Sequence, residues 1–133
     1  MTLDAIISPL AAAIAALLFG ALWYHPRLFG ASWMRYSNFT PEMVEHARRN
    51  THLFNALAFA SAFVIAVGLR EALPYGDLAG LPALFLGALL WAGFALPVSL
   101  LSMIWDQKPV ALCLMNLGYS LGAFLLIAFI VSL

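Results

Sequence analysis

Charge is the first thing that this sequence lacks. Only 9% of its 133 residues are charged and 65% are hydrophobic, whereas a soluble domain carries about 25% charged residues. So few charged side chains cannot cover the surface of a water-soluble globule, and the composition therefore excludes an ordinary soluble domain. We expect the lipid bilayer to surround this chain.

An excess of positive charge and a cysteine pair are also missing. The six basic and six acidic residues cancel, which leaves no basic footprint, and we expect no nucleic-acid partner. Cys113 is the only cysteine, so it forms no internal disulfide and offers one ligand where a structural zinc site needs four. We interpret Cys113 as a small buried hydrophobe.

The histidines do not show the spacing of a metal site. His46 and His52 are six residues apart, whereas two zinc ligands on one helix are four apart. We therefore predict no metal and no cofactor. Axial haem ligation by histidine or methionine stays open as an alternative.

What the sequence has is long apolar runs. A helix needs about 20 apolar residues to cross a bilayer, and four runs meet this test, over residues 3–22, 51–69, 81–105 and 110–133. Inside hydrocarbon only helices or closed barrels satisfy the backbone, and the alternation of a strand is absent. The only early charge is Asp4 and no basic residue precedes the first run, which favours a retained span over a secretory signal.

The predicted fold is therefore all-α. It is an integral membrane bundle of four transmembrane helices in a single domain, 1–133, with an amphipathic interfacial segment, 23–50, between the first two helices. Within that segment "TPEMVEHARRN" predicts a short helix, with Thr40 as N-cap and Pro41 at the first helical position. Whether 41–50 is a separate interfacial helix or extends the second span stays open.

Basic residues predict the orientation. Five lie in the first and third connections and one, Arg70, lies in the second. Because basic residues favour the cytoplasmic side, we expect the loops 23–50 and 106–109 to be cytoplasmic and both termini to be extracytoplasmic.

The stretch "GALWYHPRLFGASWMRY" is rich in amphipathic side chains. Tryptophan and tyrosine favour the headgroup level of a membrane, so we interpret four of them as interfacial anchors: Trp23, Tyr24, Trp33 and Tyr36. A second hypothesis is that this stretch contacts an anionic group or a lipid headgroup, through three residues: His25, Arg27 and Arg35.

Polar residues inside the predicted spans are few, and no charge lies at the middle of any span. Asn55, Asn116 and Tyr119 are the candidates for intramembrane hydrogen bonds. Pro97 removes the usual donor to the carbonyl of Gly93, so a kink is predicted in the third helix.

Small residues predict where helices approach closely. "GYSLG" contains a G-x-x-x-G pair, Gly118 and Gly122, and Gly20 ends a small-residue stripe in the first span. Packing inside one bundle and contact with another subunit are the two open uses.

The same opening stretch carries a family resemblance. "GALWYHPRLFGASWM" resembles the G-x-L-W-Y-x-P-x-x-F-G-x-x-W pattern of domain of unknown function 1761, a family of uncharacterised bacterial membrane proteins. The matching positions are Gly20, Leu22, Trp23, Tyr24, Pro26, Phe29, Gly30 and Trp33. The resemblance implies a small four-helix protein of the bacterial inner (plasma) membrane, and it supplies no activity, cofactor or catalytic residue.

Three functions follow as hypotheses. The first is a non-enzymatic bundle that acts as an accessory subunit, in a larger membrane complex, or as a homo-oligomer. The second is a small transporter or channel that uses the Pro97 kink with Asn55 and Asn116. The third is an enzyme at the cytoplasmic interface that uses His25 or His52 with Asp106, and since no catalytic motif is present we favour the first.

Overall fold

The computed structural model describes residues 3–73 and 80–133, and its elements are helical throughout. The α-helices are α1 (Asp4–Trp23), α2 (Ala31–Ser37), α3 (Pro41–Arg49), α4 (Thr51–Ala72), α5 (Leu81–Leu90), α6 (Leu96–Asp106) and α7 (Val110–Val131). Five-residue π-helical turns precede α2 and α6. No strand occurs in the part of the chain that the structure describes, which confirms the predicted all-α fold class.

Four helical stretches are long and apolar enough to cross a membrane: Ile6–Ser37, Thr51–Ala72, Leu81–Asp106 and Val110–Val131. This confirms the predicted number of such helices. The first stretch is not one straight rod, because Leu28 has a non-helical backbone, with φ −105° and ψ −109°.

Helix α7 lies at the centre of the fold. It packs against α1, α4, α5 and α6, while α1 also packs against α4. The buried core holds several alanines and few large side chains, and its members are Ala12, Ala16, Ala66, Leu69, Leu73, Ala83, Ile127, Ala128 and Val131. Small side chains let helix backbones approach closely, so the alanines explain why α1 and α4 can both lie against α7.

The α5–α6 helix contains the predicted kink position. A π-helical turn, Trp91–Ala95, separates α5 from α6, and the Leu96 N–H donates to the carbonyl of Trp91. Pro97, which has no N–H, follows directly. A π turn inserts one extra residue where the proline ring would otherwise clash with the carbonyl four residues earlier. Gly93 and Pro97 both lie on the exposed side of this helix.

Helix α3 is separate from α4. Asn50, with φ −104° and ψ 16°, interrupts the helical backbone between Arg49 and Thr51. Thr40 caps α3 as predicted, since its Oγ1 accepts from the N–H of Met43 at 3.3 Å. The open question about 41–50 is therefore answered in part: it is a helix of its own, joined to α4 by one residue.

Candidate functional site

The chain turns sharply after α1. His25 is extended, with φ −64° and ψ 140°, as a residue before proline must be. Its Nδ1 accepts from the N–H of Arg27 at 3.2 Å, and its carbonyl accepts from the N–H groups of Leu28 and Gly30. His25 thus acts as the cap from which the next helical segment starts.

Gly30 is the tightest point of this turn. It is buried, and a Cβ added there would overlap the carbonyl oxygen of Tyr24. Because that obstacle is backbone, it cannot move aside as a flexible side chain would. The turn therefore requires glycine, which lets α2 fold closely against the end of α1.

Asn116 holds both sides of the turn to α7. Its Oδ1 accepts from the hydroxyl of Tyr24 at 3.0 Å and from Nε1 of Trp33 at 3.1 Å. Nε1 of Trp23 donates to the carbonyl of Met115 at 3.2 Å. Such bonds between helices contribute about 0.6–2 kcal/mol each in a membrane, and together they fix the direction of α2.

Aromatic rings connect the same region. Tyr24 contacts both Trp33 and Tyr119, at ring-centroid distances of 5.6 and 5.1 Å. Contacts continue from these rings at both ends, and we call the whole set the aromatic cluster: Phe19, Trp23, Tyr24, Phe29, Trp33, Phe39 and Tyr119. Its rings bridge α1, α2 and α7.

The three glycines predicted for helix packing lie under these rings. Tyr119 covers Gly20, Trp23 covers Gly118 and Phe19 covers Gly122. A Cβ at Gly122 would lie 2.6 Å from the ring of Phe19. The sequence left open whether these glycines serve packing inside the bundle or contact with another subunit. The contacts show that all three pack inside the bundle.

Two cavities meet beside Asn116. The end cavity, of about 390 Å³, lies between α2 and the turn after α6, and it is lined by Trp33, Tyr36, Ser37, Asn38, Phe39, Asp106, Gln107, Lys108, Pro109, Leu112 and Asn116. The α6–α7 cleft, of about 190 Å³, is lined by Val98, Ser99, Ser102, Met103, Lys108, Cys113, Asn116 and Leu117. Lys108 and Asn116 belong to both.

Two turn residues shape the end cavity. Asn38 (φ 51°) and Gln107 (φ 49°) both have left-handed backbones and follow the last turns of α2 and α6. An asparagine tolerates this conformation better than most side chains. The two helices therefore stop at the rim of the same cavity.

The charges that line the end cavity are paired. Lys108 Nζ lies 2.8 Å from Asp106 Oδ2, which also accepts from the Ser102 hydroxyl at 2.8 Å. Among the described lining residues these are one base and one acid, so the cavity has a formal charge of zero. A solvent-exposed pair of this kind adds little to stability, because water and salt screen the two charges.

The residues predicted to contact an anion do not line the end cavity. His25, Arg27 and Arg35 are exposed at the same end of the bundle. The guanidinium of Arg35 lies 5.1 Å from the ring centre of Tyr36. The hypothesis of an anion contact at these three residues stays a prediction.

The proposed anchors have a more specific role than the sequence indicated. The side chains of Trp23, Tyr24 and Trp33 donate hydrogen bonds to α7, and Tyr36 lines the end cavity. Their position at a membrane interface stays a prediction. Asn55 lies on an exposed part of α4 and lines neither cavity, so the two asparagines considered for transport do not come together there.

Metal and catalytic groups do not converge within the described residues. No three His, Cys, Asp or Glu residues among them could hold one metal ion. Asp106, the acid of the enzyme hypothesis, bonds Ser102 and Lys108. Cys113 is buried, as predicted.

Sequence reasoning did not find the end cavity. Asn116 is separated from Tyr24 by 92 residues and from Trp33 by 83, and no local pattern links positions so far apart. One signal was present, because the family pattern joins Tyr24, Gly30 and Trp33. These residues form the turn that Asn116 holds.

Comparison with known proteins gives a family and no activity. No curated protein and no solved structure matches this chain. The DUF1761 family, described as a protein of unknown function, matches residues 7–132. Since the match extends over nearly the whole chain and includes the turn, Asn116 and both cavities, this protein belongs to the DUF1761 family.

Proposed function

We propose that this protein is a non-enzymatic, multi-pass protein of the bacterial inner membrane that forms a homo-oligomer through the outward face of its α5–α6 helix. One observation carries the proposal: this helix is the least covered of the four long helices. In the most apolar 18-residue stretch of this helix only 6% of the residues are buried, whereas the corresponding share in α7 is 28%. Its exposed side chains are large, with Phe85, Phe94 and Trp105 exposed by 70%, 71% and 81%.

A contrast between glycines supports contact with a second copy. Gly20, Gly87, Gly118 and Gly122 each face a neighbouring helix, so glycine serves helix packing within this bundle. Gly93 has open space where its Cβ would be and lies on the exposed side of α5–α6. An outward glycine beside Phe94 lets a second helix approach closely.

The bonding of the polar groups supports a structural role. Asn116 is occupied by Tyr24 and Trp33, and Asp106 by Ser102 and Lys108. The indole of Trp91 and the hydroxyl of Ser120 are similarly engaged, since Trp91 Nε1 donates to Ser120 Oγ at 2.8 Å. Hydrogen bonds of this kind between helices stabilise a fixed packing.

Disulfide cross-linking in native membranes tests the oligomer. Phe94→Cys in a Cys113→Ala background is expected to give a cross-linked dimer, and Val64→Cys, an equally exposed position on α4, is expected to give none. Gly93→Leu should abolish the Phe94→Cys cross-link, while Gly68→Leu, which also faces open space, should not. A cross-link from Phe94→Cys to a different protein would instead indicate an accessory subunit. Equal dimer formation by Phe94→Cys and Val64→Cys would contradict the proposal.

The proposed orientation places the Asn116 end in the cytoplasm. Arg27, Arg35 and Lys108 lie at this end, and Arg70 lies at the other end with Ser8 and Leu133. In the same background, Leu133→Cys should react with a membrane-impermeant maleimide on intact cells. Asn38→Cys should react only after permeabilisation, and the reverse pattern would contradict this orientation.

A further inference from the structure

We infer that the end cavity and the α6–α7 cleft together bind one zwitterionic phospholipid, with its headgroup in the cavity and the start of an acyl chain in the cleft. This inference depends on the membrane location proposed above and not on oligomer formation. Four observations support it: a directed amide donor, a charge pair, a cleft that continues from the cavity, and the size of the cavity.

The amide of Asn116 supplies a fixed donor. Nε1 of tryptophan can only donate, so Oδ1 of Asn116 must face Trp33 and Tyr24. The amide NH₂ group is therefore turned away from them, on a residue that lines both cavities. Within the described part of the chain Nδ2 has no hydrogen-bond partner. It is placed to donate to an acceptor such as a phosphate oxygen.

The charge pair selects the class of headgroup. Lys108 Nζ and Asp106 Oδ2 are 2.8 Å apart and both line the end cavity. A free anion would be attracted by the ammonium of Lys108 but repelled by the carboxylate of Asp106 beside it. A headgroup with one phosphate and one ammonium can place the phosphate at Lys108 and Asn116 and the ammonium at Asp106, so each charge meets its opposite. Phosphatidylethanolamine has this chemistry.

The cleft provides space for the apolar part of the ligand, the start of its acyl chain. Val98 and Met103 of α6 and Leu117 of α7 line it together with the hydroxyls of Ser99 and Ser102, and it shares Lys108 and Asn116 with the end cavity. Asn116 lies seven residues from Pro109, which is about 10 Å along a helix. An acyl chain that leaves a headgroup at Lys108 would therefore pass between α6 and α7 toward the middle of the bundle.

The size of the end cavity agrees with this occupant. Its volume of about 390 Å³ falls in the range of about 300–1,000 Å³ of small-molecule sites. Trp33, Tyr36 and Phe39 form aromatic walls, which favour a partly apolar ligand over a hydrated ion.

Native mass spectrometry in mild detergent tests the binding. Dioleoylphosphatidylethanolamine is expected to bind one per chain and to saturate. Lys108→Gln should weaken binding about tenfold, because it removes a charge-assisted bond worth about 1.4 kcal/mol or more. Arg49→Gln removes an exposed basic side chain of α3 that lines neither cavity, so it is the matched control and should leave the affinity unchanged. Equal weakening by the two variants would overturn the site and indicate general attraction to the surface.

A second variant tests the ammonium contact and does not depend on the first. The unmodified protein should prefer phosphatidylethanolamine to phosphatidylglycerol, whose headgroup lacks the ammonium. Asp106→Asn removes the acid and leaves Lys108 uncompensated, so it should reverse this preference. An unchanged order of affinity in Asp106→Asn would overturn the assignment of the headgroup.

The native cysteine reports on the cleft without any substitution. Cys113 lines the cleft and is 8% exposed, so a bound acyl chain should slow its alkylation by N-ethylmaleimide several-fold. Free phosphoethanolamine, which has no chain, should give no such protection. If it binds as tightly as the lipid, the site takes a soluble ligand and the cleft has no part in binding. Failure of cross-linking at Phe94 would leave these results unaffected.

Discussion

The two ends of the α1–α7 pair are joined by different chemistry. Near Asn116 the helices are held by rings and directed hydrogen bonds, such as Tyr24 and Trp33 on one amide oxygen. Farther along, Ala12 and Ala16 lie with Ile127 and Ala128 in a core whose described members are all apolar. Directed bonds fix an orientation, whereas small apolar side chains fix only a distance. The end that carries the cavities is therefore the one whose geometry is specified in detail.

The largest effect is expected where backbone meets backbone at the Asn116 end. Gly30→Ala forces its Cβ onto the carbonyl of Tyr24, so we expect a loss of about 3 kcal/mol in the free energy of unfolding. Unfolding in SDS, followed by circular dichroism in detergent that keeps the protein monomeric, measures it. Gly93→Ala is the control: it faces open space and should leave stability unchanged or raise it by up to about 1 kcal/mol. Equal losses would remove the special role of the turn.

A smaller effect is expected at the alanine end. Ala12 is fully buried, so Ala12→Leu should push α1 away from its neighbours at a cost of about 1–3 kcal/mol. Ala58→Leu should be tolerated, because Ala58 borders an apolar space of about 270 Å³ between α1, α4 and α7. Measured in the same way, a lower stability for Ala58→Leu than for Ala12→Leu would contradict the packing described for this end.

Next comes the Asn116 bond itself. Asn116→Leu leaves the Tyr24 hydroxyl and Trp33 Nε1 without their acceptor, for a loss of about 1–2 kcal/mol. A double-mutant cycle with Trp33→Phe should give a coupling energy near 0.6 kcal/mol or above. Additive losses in that cycle would mean that the bond contributes nothing to stability.

The smallest effect concerns α3, outside both ends of the α1–α7 pair. The ionised carboxylate of Glu42 accepts hydrogen bonds from the backbone N–H of Glu42 and from the Thr40 hydroxyl, and both bonds lower the pKa of Glu42. Because the folded pKa lies below the unfolded one, this stabilisation is present at neutral pH and is lost as the pH falls through the folded value. We expect slight fraying of α3 in acid, seen as faster amide exchange at 42–45, and Glu42→Gln should remove this pH dependence. The two ends should show no matching change.

Local rules predicted part of this structure well. The proline at the start of α3 and its Thr40 cap were read directly from "TPEMVEHARRN", since capping involves residues only three apart. The extended backbone of His25 obeys a rule of the same local kind, because proline restricts the residue before it. The extra residue in the turn Trp91–Ala95 was not predicted, because a kink can form in several ways.

The candidate site was less predictable. The sequence drew attention to Tyr24 and Trp33 as amphipathic side chains, but an anchor at a membrane surface and a donor to a neighbouring helix require the same residue type. Lys108 and Asp106 are in a four-residue turn, and only the approach of 33–39 makes that turn one wall of a cavity.

The sequence by itself determined that the chain forms four long apolar helices, because the length and composition of each run are local properties. Only the tertiary structure decided that Asn116 joins Tyr24 to Trp33, that Gly30 lies against the carbonyl of Tyr24, and that two cavities meet at Lys108. The physical reason is separation along the chain. A hydrogen bond between residues more than 80 positions apart depends on how whole helices pack, and no local periodicity encodes that packing.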